Sequence, residues 1–435
     1  MWQRFKALKI VQSFYILKGN TRTSVICEPL WGIPYTIFIF YFSLYLMEMG
    51  ITEQQLGIIT AVGFLSGAFF SFFAGSITDF LGRKKTCLIF DLIGWSFALF
   101  LFLISRSLTM FIIATIVNNV TKVTGVSWNL MVIEDADSEQ RKSAYNLLNI
   151  INISLGIITP IGGLVVARYG IVRAERYFII FAMLSMTAMF FIRNSKYVET
   201  KVGQQILNEH KNFNFKERLK KGIYKGTFKQ LSSNKRLRIA MAVQILFNLI
   251  IPLGAYNSMY FLPYMTDYLG IDKAAASILG GVYAGVMLFV FLFITPNTAR
   301  KNIPASILTG LFLQTAAFFW ITMLPHGMMI YAVLAVGIYS FGHGIFMPFF
   351  STLLADISEG KERAGIYSLL NTVTAILSAI IGSVSGFIYA ADPRYVFYLT
   401  AFITALCFIG MIMFIAYDKK QASAENDTKP LAEVE

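Results

Sequence analysis

A short charged segment between two long apolar segments decides the fold. It reads Gly75-Ser76-Ile77-Thr78-Asp79-Phe80-Leu81-Gly82-Arg83-Lys84-Lys85. One acidic residue, two glycines and three consecutive basic residues are gathered here. Each flanking apolar segment is long enough to cross the hydrocarbon core of a bilayer, which takes about 20 residues in a helix. The segment, which we call the charged turn, is therefore predicted to be a tight cytoplasmic turn between two membrane helices.

The composition places the whole chain in a membrane. Of its 435 residues, 56% are hydrophobic and only 14% are charged, which is too apolar for a soluble protein of this size. Lipid cannot satisfy bare backbone polar groups, so long apolar segments must be helical and the predicted fold is all-α. Twelve membrane helices are predicted, at about 21–47, 53–74, 86–104, 108–133, 144–167, 176–194, 238–264, 275–295, 304–324, 328–355, 364–390 and 395–417.

The basic residues give the orientation. With the N-terminus inside, 30 of the 37 Lys and Arg residues fall on the cytoplasmic side and 6 fall outside, while Lys122 lies within a helix. This asymmetry predicts that both termini are cytoplasmic. The net charge of +13 is thus explained by topology, and no nucleic-acid partner is expected.

The second part of the chain repeats the first. Five residues recur at a constant offset of 222 positions, namely Arg141, Tyr145, Leu147, Leu148 and Asn149 against Arg363, Tyr367, Leu369, Leu370 and Asn371. We predict a six-helix bundle at 19–194 (the first half), a basic cytoplasmic linker at 195–236, a second bundle at 237–417 (the second half) and a cytoplasmic tail at 418–435. Residues 1–18 suit either an amphipathic helix on the inner leaflet or a frayed tail.

Together, the charged turn, the two six-helix repeats and the basic central loop resemble the major facilitator superfamily of transporters over essentially the whole chain. The charged turn is similar to that family's loop signature, although Phe80 stands where the family usually has a base. In the equivalent loop after predicted helix 8, Arg300 and Lys301 remain but the acidic residue is missing. The resemblance implies the twelve-helix fold and alternating access by rocking of two bundles.

The resemblance also implies a role for the charged turn. Gly75, Asp79, Gly82, Arg83 and Lys84 would form a conformational latch on the cytoplasmic face. Asp79 has Arg83 as a local partner, and the start of predicted helix 11, at residues 363–366, would be its partner in the other half. The alternative is a plain turn that only sets topology.

Few ionisable residues lie within the predicted helices, and each is costly enough there to suggest a function. The proton-coupling candidates are Glu28, Lys122, Asp91 and His343. Glu28 and Lys122 are expected to meet across a cavity, either as a coupling pair or as a static ion pair, with Asp91 as a rival partner. His343, between two glycines, is either a proton relay or a packing residue.

The family fold implies that predicted helices 1, 4, 7 and 10 line a central cavity. On helix 4, polar residues recur at helical spacing and form one stripe, at Thr115, Asn118, Lys122, Gly125 and Asn129. The substrate-cavity candidates are Tyr35, Asn118, Asn129, Asn248, Tyr256, Asn257 and Tyr339.

The predicted function is secondary active transport of a small organic solute, coupled to protons. Export is one direction, since helix 5 partly matches a Gly-Pro element of drug-proton antiporters, and uptake by a sugar or organic-acid symporter is the alternative. A non-transporting membrane sensor is the alternative outside transport. No enzyme chemistry, metal site or cofactor is indicated. We expect a monomer in the plasma or inner membrane whose partners are the solute, protons and lipids.

Overall fold

The computed structural model describes residues 9–209, 231, 234–298, 302–358 and 363–427. These residues form helices and turns, without a strand among them. In chain order the main helices are α1 (Lys9–Ile16), α2 (Gly19–Glu48), α3 (Glu53–Leu81), α4 (Arg83–Ile104), α5 (Leu108–Ile133), α6 (Ser138–Leu155), α7 (Thr159–Lys196), α8 (Lys201–Glu209), α9 (Lys235–Asn248), α10 (Ser277–Asn297), α11 (Ile303–Ile321), α12 (Met329–Ile357), α13 (Arg363–Ala391) and α14 (Arg394–Asp427).

The all-α prediction is confirmed. Within the described ranges, ten helical segments are long and apolar enough to cross a membrane. One of the ten, Ser138–Lys196, is 59 residues long, about twice what a single crossing requires. The count of twelve membrane helices and the cytoplasmic location of the termini stay predictions.

The predicted loop between helices 5 and 6 is much shorter than expected. The sequence predicts helices at 144–167 and 176–194, whereas the backbone of α7 leaves the helical conformation only at Gly170, with φ 72° and ψ 166°. Glycine has no Cβ, so it adopts this conformation at little cost. A single glycine therefore replaces a predicted loop of several residues.

Predicted helix 7 is interrupted, which corrects the expected span at 238–264. Helix α9 ends at Asn248, and turns follow until a short helix at Phe261–Pro263 and a π-helical turn at Tyr264–Tyr268. Pro252 explains the end point, because a proline ring clashes with the carbonyl group four residues earlier, here that of Asn248. The turns also bring Gly254 against α14, where its amide donates to Thr400 Oγ1 at 3.0 Å.

The N-terminal segment packs against the first half. Phe14 and Leu17, in and just after α1, pack with Leu147 and Leu148 of α6, so this part of the N-terminal segment contacts protein.

Some predicted segments lie outside the described residues. They are residues 1–8 and 428–435, most of the predicted linker (210–230 and 232–233) and the loop at 299–301. Helix α14 continues to Asp427, ten residues beyond the predicted end of helix 12.

Candidate functional site

The charged turn is held within the first half by Arg83. This side chain is only 2% exposed. Its Nη1 lies 3.2 Å from Asp79 Oδ1, and its Nε and Nη2 each donate to Glu134, at 3.1 Å. Glu134 follows α5 directly, so Arg83 joins three helices at one end of the bundle. An arginine fork suits this arrangement because its donors have a fixed planar geometry.

Glu199, just after α7, caps the start of α4. Its carboxylate accepts hydrogen bonds from the amides of Arg83 and Lys84, both at 3.0 Å. A carboxylate is favourable there because the first amides of a helix are unpaired and carry partial positive charge. Gly82 makes room for it, since a Cβ at this position would lie 2.7 Å from Glu199 Oε2. The first residues of the 195–236 segment are thus folded onto the charged turn.

The second-half partner predicted for Asp79 falls at the start of α13. The side chains of residues 363–365 lie outside the described part of the structure. Among the described residues, Asp79 forms an ion pair with Arg83 of its own half. Lys84 contributes its amide to the Glu199 cap.

At the other end of the bundle, which we call the far end, the two halves contact each other closely. A Cβ on Gly57 of α3 would lie 2.6 Å from Gly382 O of α13, and one on Gly386 would lie 2.4 Å from Glu53 O. By contrast, a Cβ on Gly75, at the charged turn, would have nothing among the described atoms within 4 Å. Helices α3 and α13 therefore approach closely at the far end.

Polar bonds also join the halves at the far end. Lys273 Nζ lies 2.6 Å from Glu48 Oε1 of α2 and 3.2 Å from Asp267 Oδ1. The Tyr41 hydroxyl donates to Lys273 O at 3.2 Å, and Thr159 Oγ1 donates to Ser277 O at 3.1 Å. Beside these bonds lies a cavity of about 520 Å³, whose lining includes Glu48 and Lys273.

The ionisable candidates of the first half are not brought together as expected. Asp91 forms a buried ion pair with Arg193 of α7, so a partner from the same half neutralises it. Glu28 lies beside Asn152 of α6 and is half-buried. Lys122 lies against Gly67 of α3, with Cε 3.4 Å from the position of a Cβ there. The described contacts hold no Glu28–Lys122 pair, and the possible coupling role of each residue remains a prediction.

The polar stripe on α5 is partly engaged by neighbouring helices. Asn118 donates to Gly94 O at 2.9 Å, in the π-helical turn Leu92–Phe97 of α4. Asn129 Oδ1 accepts from the Tyr145 hydroxyl of α6 at 2.7 Å. Both amides keep one further polar atom for another partner. Tyr35 stacks on Trp31 with ring centroids 4.7 Å apart.

In the second half, tyrosines and a histidine form one cluster. Tyr256 stacks on Tyr283 of α10, with centroids 4.1 Å apart. Tyr339 and His343 of α12 are 5.6 Å apart, and both lie beside Tyr283. Of the remaining cavity candidates, Asn248 accepts from Gln244 at 3.1 Å and Asn257 is exposed.

Gln314 of α11 assigns the tautomer of His343. Gln314 Nε2 donates to Gly310 O at 3.2 Å, so its Oε1 is the atom that faces His343 Nδ1 at 3.3 Å. In the neutral ring Nδ1 then carries the proton, and Nε2 is a hydrogen-bond acceptor. This arrangement pre-positions one basic nitrogen in the cluster.

Several residues of these networks were missed from the sequence. Helical spacing and the family resemblance assign no site role to Arg193, Glu199, Gln314, Tyr283 or Lys273. Arg193 had a usable signal, because a buried carboxylate such as Asp91 requires a cation. The other contacts depend on packing between distant segments, which spacing along the chain does not reveal.

Comparison with known proteins gives the family. The sequence pattern of the Major Facilitator Superfamily matches residues 30–339 and also residues 245–434. The chain belongs to the major facilitator superfamily. It is therefore an integral membrane protein and a transporter of some solute, and membership of this family indicates a transporter rather than an enzyme. No curated protein sequence matches the chain.

Solved structures of other superfamily transporters have a similar fold. A mutant of the nucleoside transporter NupG has a TM-score of 0.69 and 14% identity, covering 91% of this chain and 99% of that chain. A D-xylose-proton symporter has a TM-score of 0.65 and 13% identity, covering 91% and 97%. The xylose transporter XylE from E. coli, in an inward-open conformation, has a TM-score of 0.64 and 14% identity, covering 91% and 95%. At these identities the likeness concerns the fold alone.

Proposed function

We propose that this transporter is a secondary active transporter in which the two halves rock about a solute site near the middle of the membrane. The close contact between α3 and α13 at the far end carries the proposal. Gly57 and Gly75 are 18 residues apart, which is five complete turns, so they share one face of α3 about 27 Å apart. That face touches α13 at Gly57, and a Cβ at Gly75 would have no described atom within 4 Å. A rocking motion that opens the Gly57 contact would close α13 against Gly75.

The charged turn is the proposed latch of the second conformation. Gly75 leaves space for α13, and Asp79 is held next to the approaching helix by Arg83. Because Arg83 is also bound to Glu134, the turn keeps its shape while the halves move. The start of α13 would present unpaired amides, which are suitable partners for the Asp79 carboxylate.

Proton coupling is the proposed energy source, with Glu28 as the proton carrier. Glu28 is half-buried on α2 without a described cation in contact, so its charge depends on access to water. His343 is the second candidate, since the Gln314 contact leaves Nε2 free to accept a proton. Asp91 is better suited to a structural role because Arg193 already neutralises it. One fold neighbour is a proton symporter, which is compatible with this energy source.

Export across the plasma or inner membrane is the proposed direction, and uptake symport is the alternative. The glycine-rich segment that partly matches antiporters lies where the halves meet. A Cβ on Gly156 would lie 2.6 Å from Ala284 Cβ, and one on Gly163 would lie 2.4 Å from Ala274 O. A segment in this position can influence how tightly the far end closes. A sensor would use the same rocking motion without net flux.

Reconstitution in liposomes tests the proposal. A solute panel is added to vesicles that contain an internal pH dye, with wild type, Glu28→Gln and the control Glu139→Gln, whose side chain is exposed at the start of α6. We expect solute-dependent proton flux in wild type and the control, and its loss in Glu28→Gln. Solute flux without proton flux in all three proteins contradicts coupling. Binding without any solute flux favours the sensor, and the direction of flux against an imposed pH gradient separates export from uptake.

A further inference from the structure

Lys122 lies in the middle of α5, and none of the described ion pairs includes it. It lies 14 residues from Leu108 and 11 from Ile133, about 21 Å and 16 Å from the two ends of the helix. Its side chain is exposed. In the part of the chain that the structure describes, no carboxylate forms an ion pair with it, although seven other ion pairs are found there.

The neighbours of Lys122 indicate that it faces the space between the halves. On one side it lies against Gly67 of α3, and α3 contacts α13 of the second half. Two turns further along the same face, Asn129 accepts a hydrogen bond from Tyr145 of α6, and the α6–α7 segment contacts α10. Lys122 and Asn129 thus contact the two segments through which the first half meets the second. A lysine side chain that faced lipid at this depth would cost several kcal/mol, so an orientation of Lys122 towards lipid is disfavoured.

Asn119 adds a polar group to the same spot. Its Nδ2 donates to Thr115 O at 2.9 Å, which leaves Oδ1 turned towards Gly67, 3.0 Å from the position of a Cβ there. Lys122 Cε lies 3.4 Å from the same Cβ position. Gly67 therefore creates a recess in which an ammonium group and an amide oxygen lie close together.

The protein offers no described group to neutralise this ammonium when the cavity closes. Asp91 is bound to Arg193, and Glu28 lies beside Asn152 on another helix. Removing an unpaired charge from water is expensive, so a transporter that occludes its cavity around Lys122 needs a counter-ion from elsewhere. The solute is the one component that enters and leaves with each cycle.

We propose that Lys122 binds an anionic group of the transported solute, so that the substrates are small organic anions. The inference rests on the proposed transport function and adds the chemical class of the solute. An ammonium group pairs with a carboxylate or a phosphate equally well, and Asn119 Oδ1 accepts a hydroxyl or amine of the same solute.

Matched pairs of compounds test this assignment. The pairs differ in one charged group: 4-hydroxybenzoate and 4-hydroxybenzamide, nicotinate and nicotinamide, gluconate and glucose, and uridine monophosphate and uridine. Binding is measured by the shift in thermal midpoint of the purified full-length protein, and flux is measured in liposomes. The variants are Lys122→Gln, Lys122→Arg and the control Lys142→Gln, which removes an exposed lysine of α6.

We expect at least one anion to stabilise wild type, Lys122→Arg and Lys142→Gln, while its neutral partner does not. In Lys122→Gln the apparent Kd of that anion should rise about 10- to 100-fold, the usual effect of losing one charged hydrogen bond. The carboxylate and phosphate pairs show which anion is preferred. The assignment is overturned if no compound of the panel gives a thermal shift that depends on Lys122. It is also overturned if neutral solutes bind and are transported equally in wild type and Lys122→Gln, a result that leaves the transport function intact. Lys122-dependent binding without flux overturns the transport function instead.

Discussion

At the scale of single residues, the two glycines of the charged turn have different requirements. Gly82 has φ 84° and ψ 157°, a region that is almost exclusive to glycine. Gly75 lies inside α3 with helical backbone, and a Cβ there would have no described atom within 4 Å. A sequence signature treats the two positions alike, but the backbone conformation requires glycine at Gly82 and not at Gly75.

Gly82→Ala should therefore destabilise the protein, and Gly75→Ala should not. The new methyl group at position 82 meets both the backbone restriction and Glu199 Oε2, with an expected cost of about 1–3 kcal/mol. Alanine at position 75 restores a better helix former. Thermal unfolding in detergent measures both variants, and an equal midpoint for Gly82→Ala and wild type would contradict this account of the turn.

At the scale of helices, the sequence predicted the elements better than their interruptions. Apolar length located the membrane helices, because a bilayer imposes a minimum length on them. Pro252 indicates the break after Asn248, since an internal proline disfavours a continuous helix, but prolines are tolerated within α2 and α12. The sequence around each proline does not distinguish a broken helix from a continuous one. Neighbouring helices determine whether the backbone groups that proline frees find hydrogen-bond partners.

Candidate site residues were predicted less well for a related reason. Helical spacing placed Asn118, Lys122 and Asn129 on one face of α5, but it carried no information on what that face contacts. The pairing of Asp91 with Arg193 joins residues 102 positions apart. Such pairs depend on the relative rotation of helices, which only the packed structure supplies.

The contact of Lys273 with α2 should be insensitive to pH around neutrality. Partial burial opposes its charge, but the hydrogen bond from Lys273 to Glu48 and the nearby Asp267 outweigh burial and raise the pKa of Lys273. A raised pKa means that the contact is fully present below the ordinary lysine value of about 10.4 and is lost only as pH rises through the higher value.

Cysteine labelling at the far end checks this expectation. Val172→Cys, in the wall of the cavity, is treated with a membrane-impermeant maleimide between roughly pH 6 and 9, well below the ordinary lysine pKa. Labelling in a Lys273→Met background should be faster by up to about fivefold, the effect of losing one partly exposed ion pair. The ratio of the two rates should be constant over this range. A ratio that falls to one within it would contradict the raised pKa.

At the scale of the whole molecule, the contacts describe one of two conformations. The closest glycine contacts between α3 and α13, at Gly57 and Gly386, lie at the far end, and Arg83, Glu134 and Glu199 of the same half contact the charged turn. Each half can therefore move as a unit while its internal networks stay intact. Under this account the energy of switching comes from contacts between halves, with Lys273 at one end and Asp79 at the other.

Distances between spin labels at both ends test this central claim most directly. One pair joins Phe80 and Ser351 at the charged-turn end, and the other joins Tyr169 and Met328 at the far end. The three native cysteines are buried and are replaced beforehand. We predict two populations in each pair that shift in opposite directions when solute is added, with Asp79→Asn depleting the population that is closed at the charged turn. A single distance at each end, unchanged by solute in a protein that still transports it, would contradict the account.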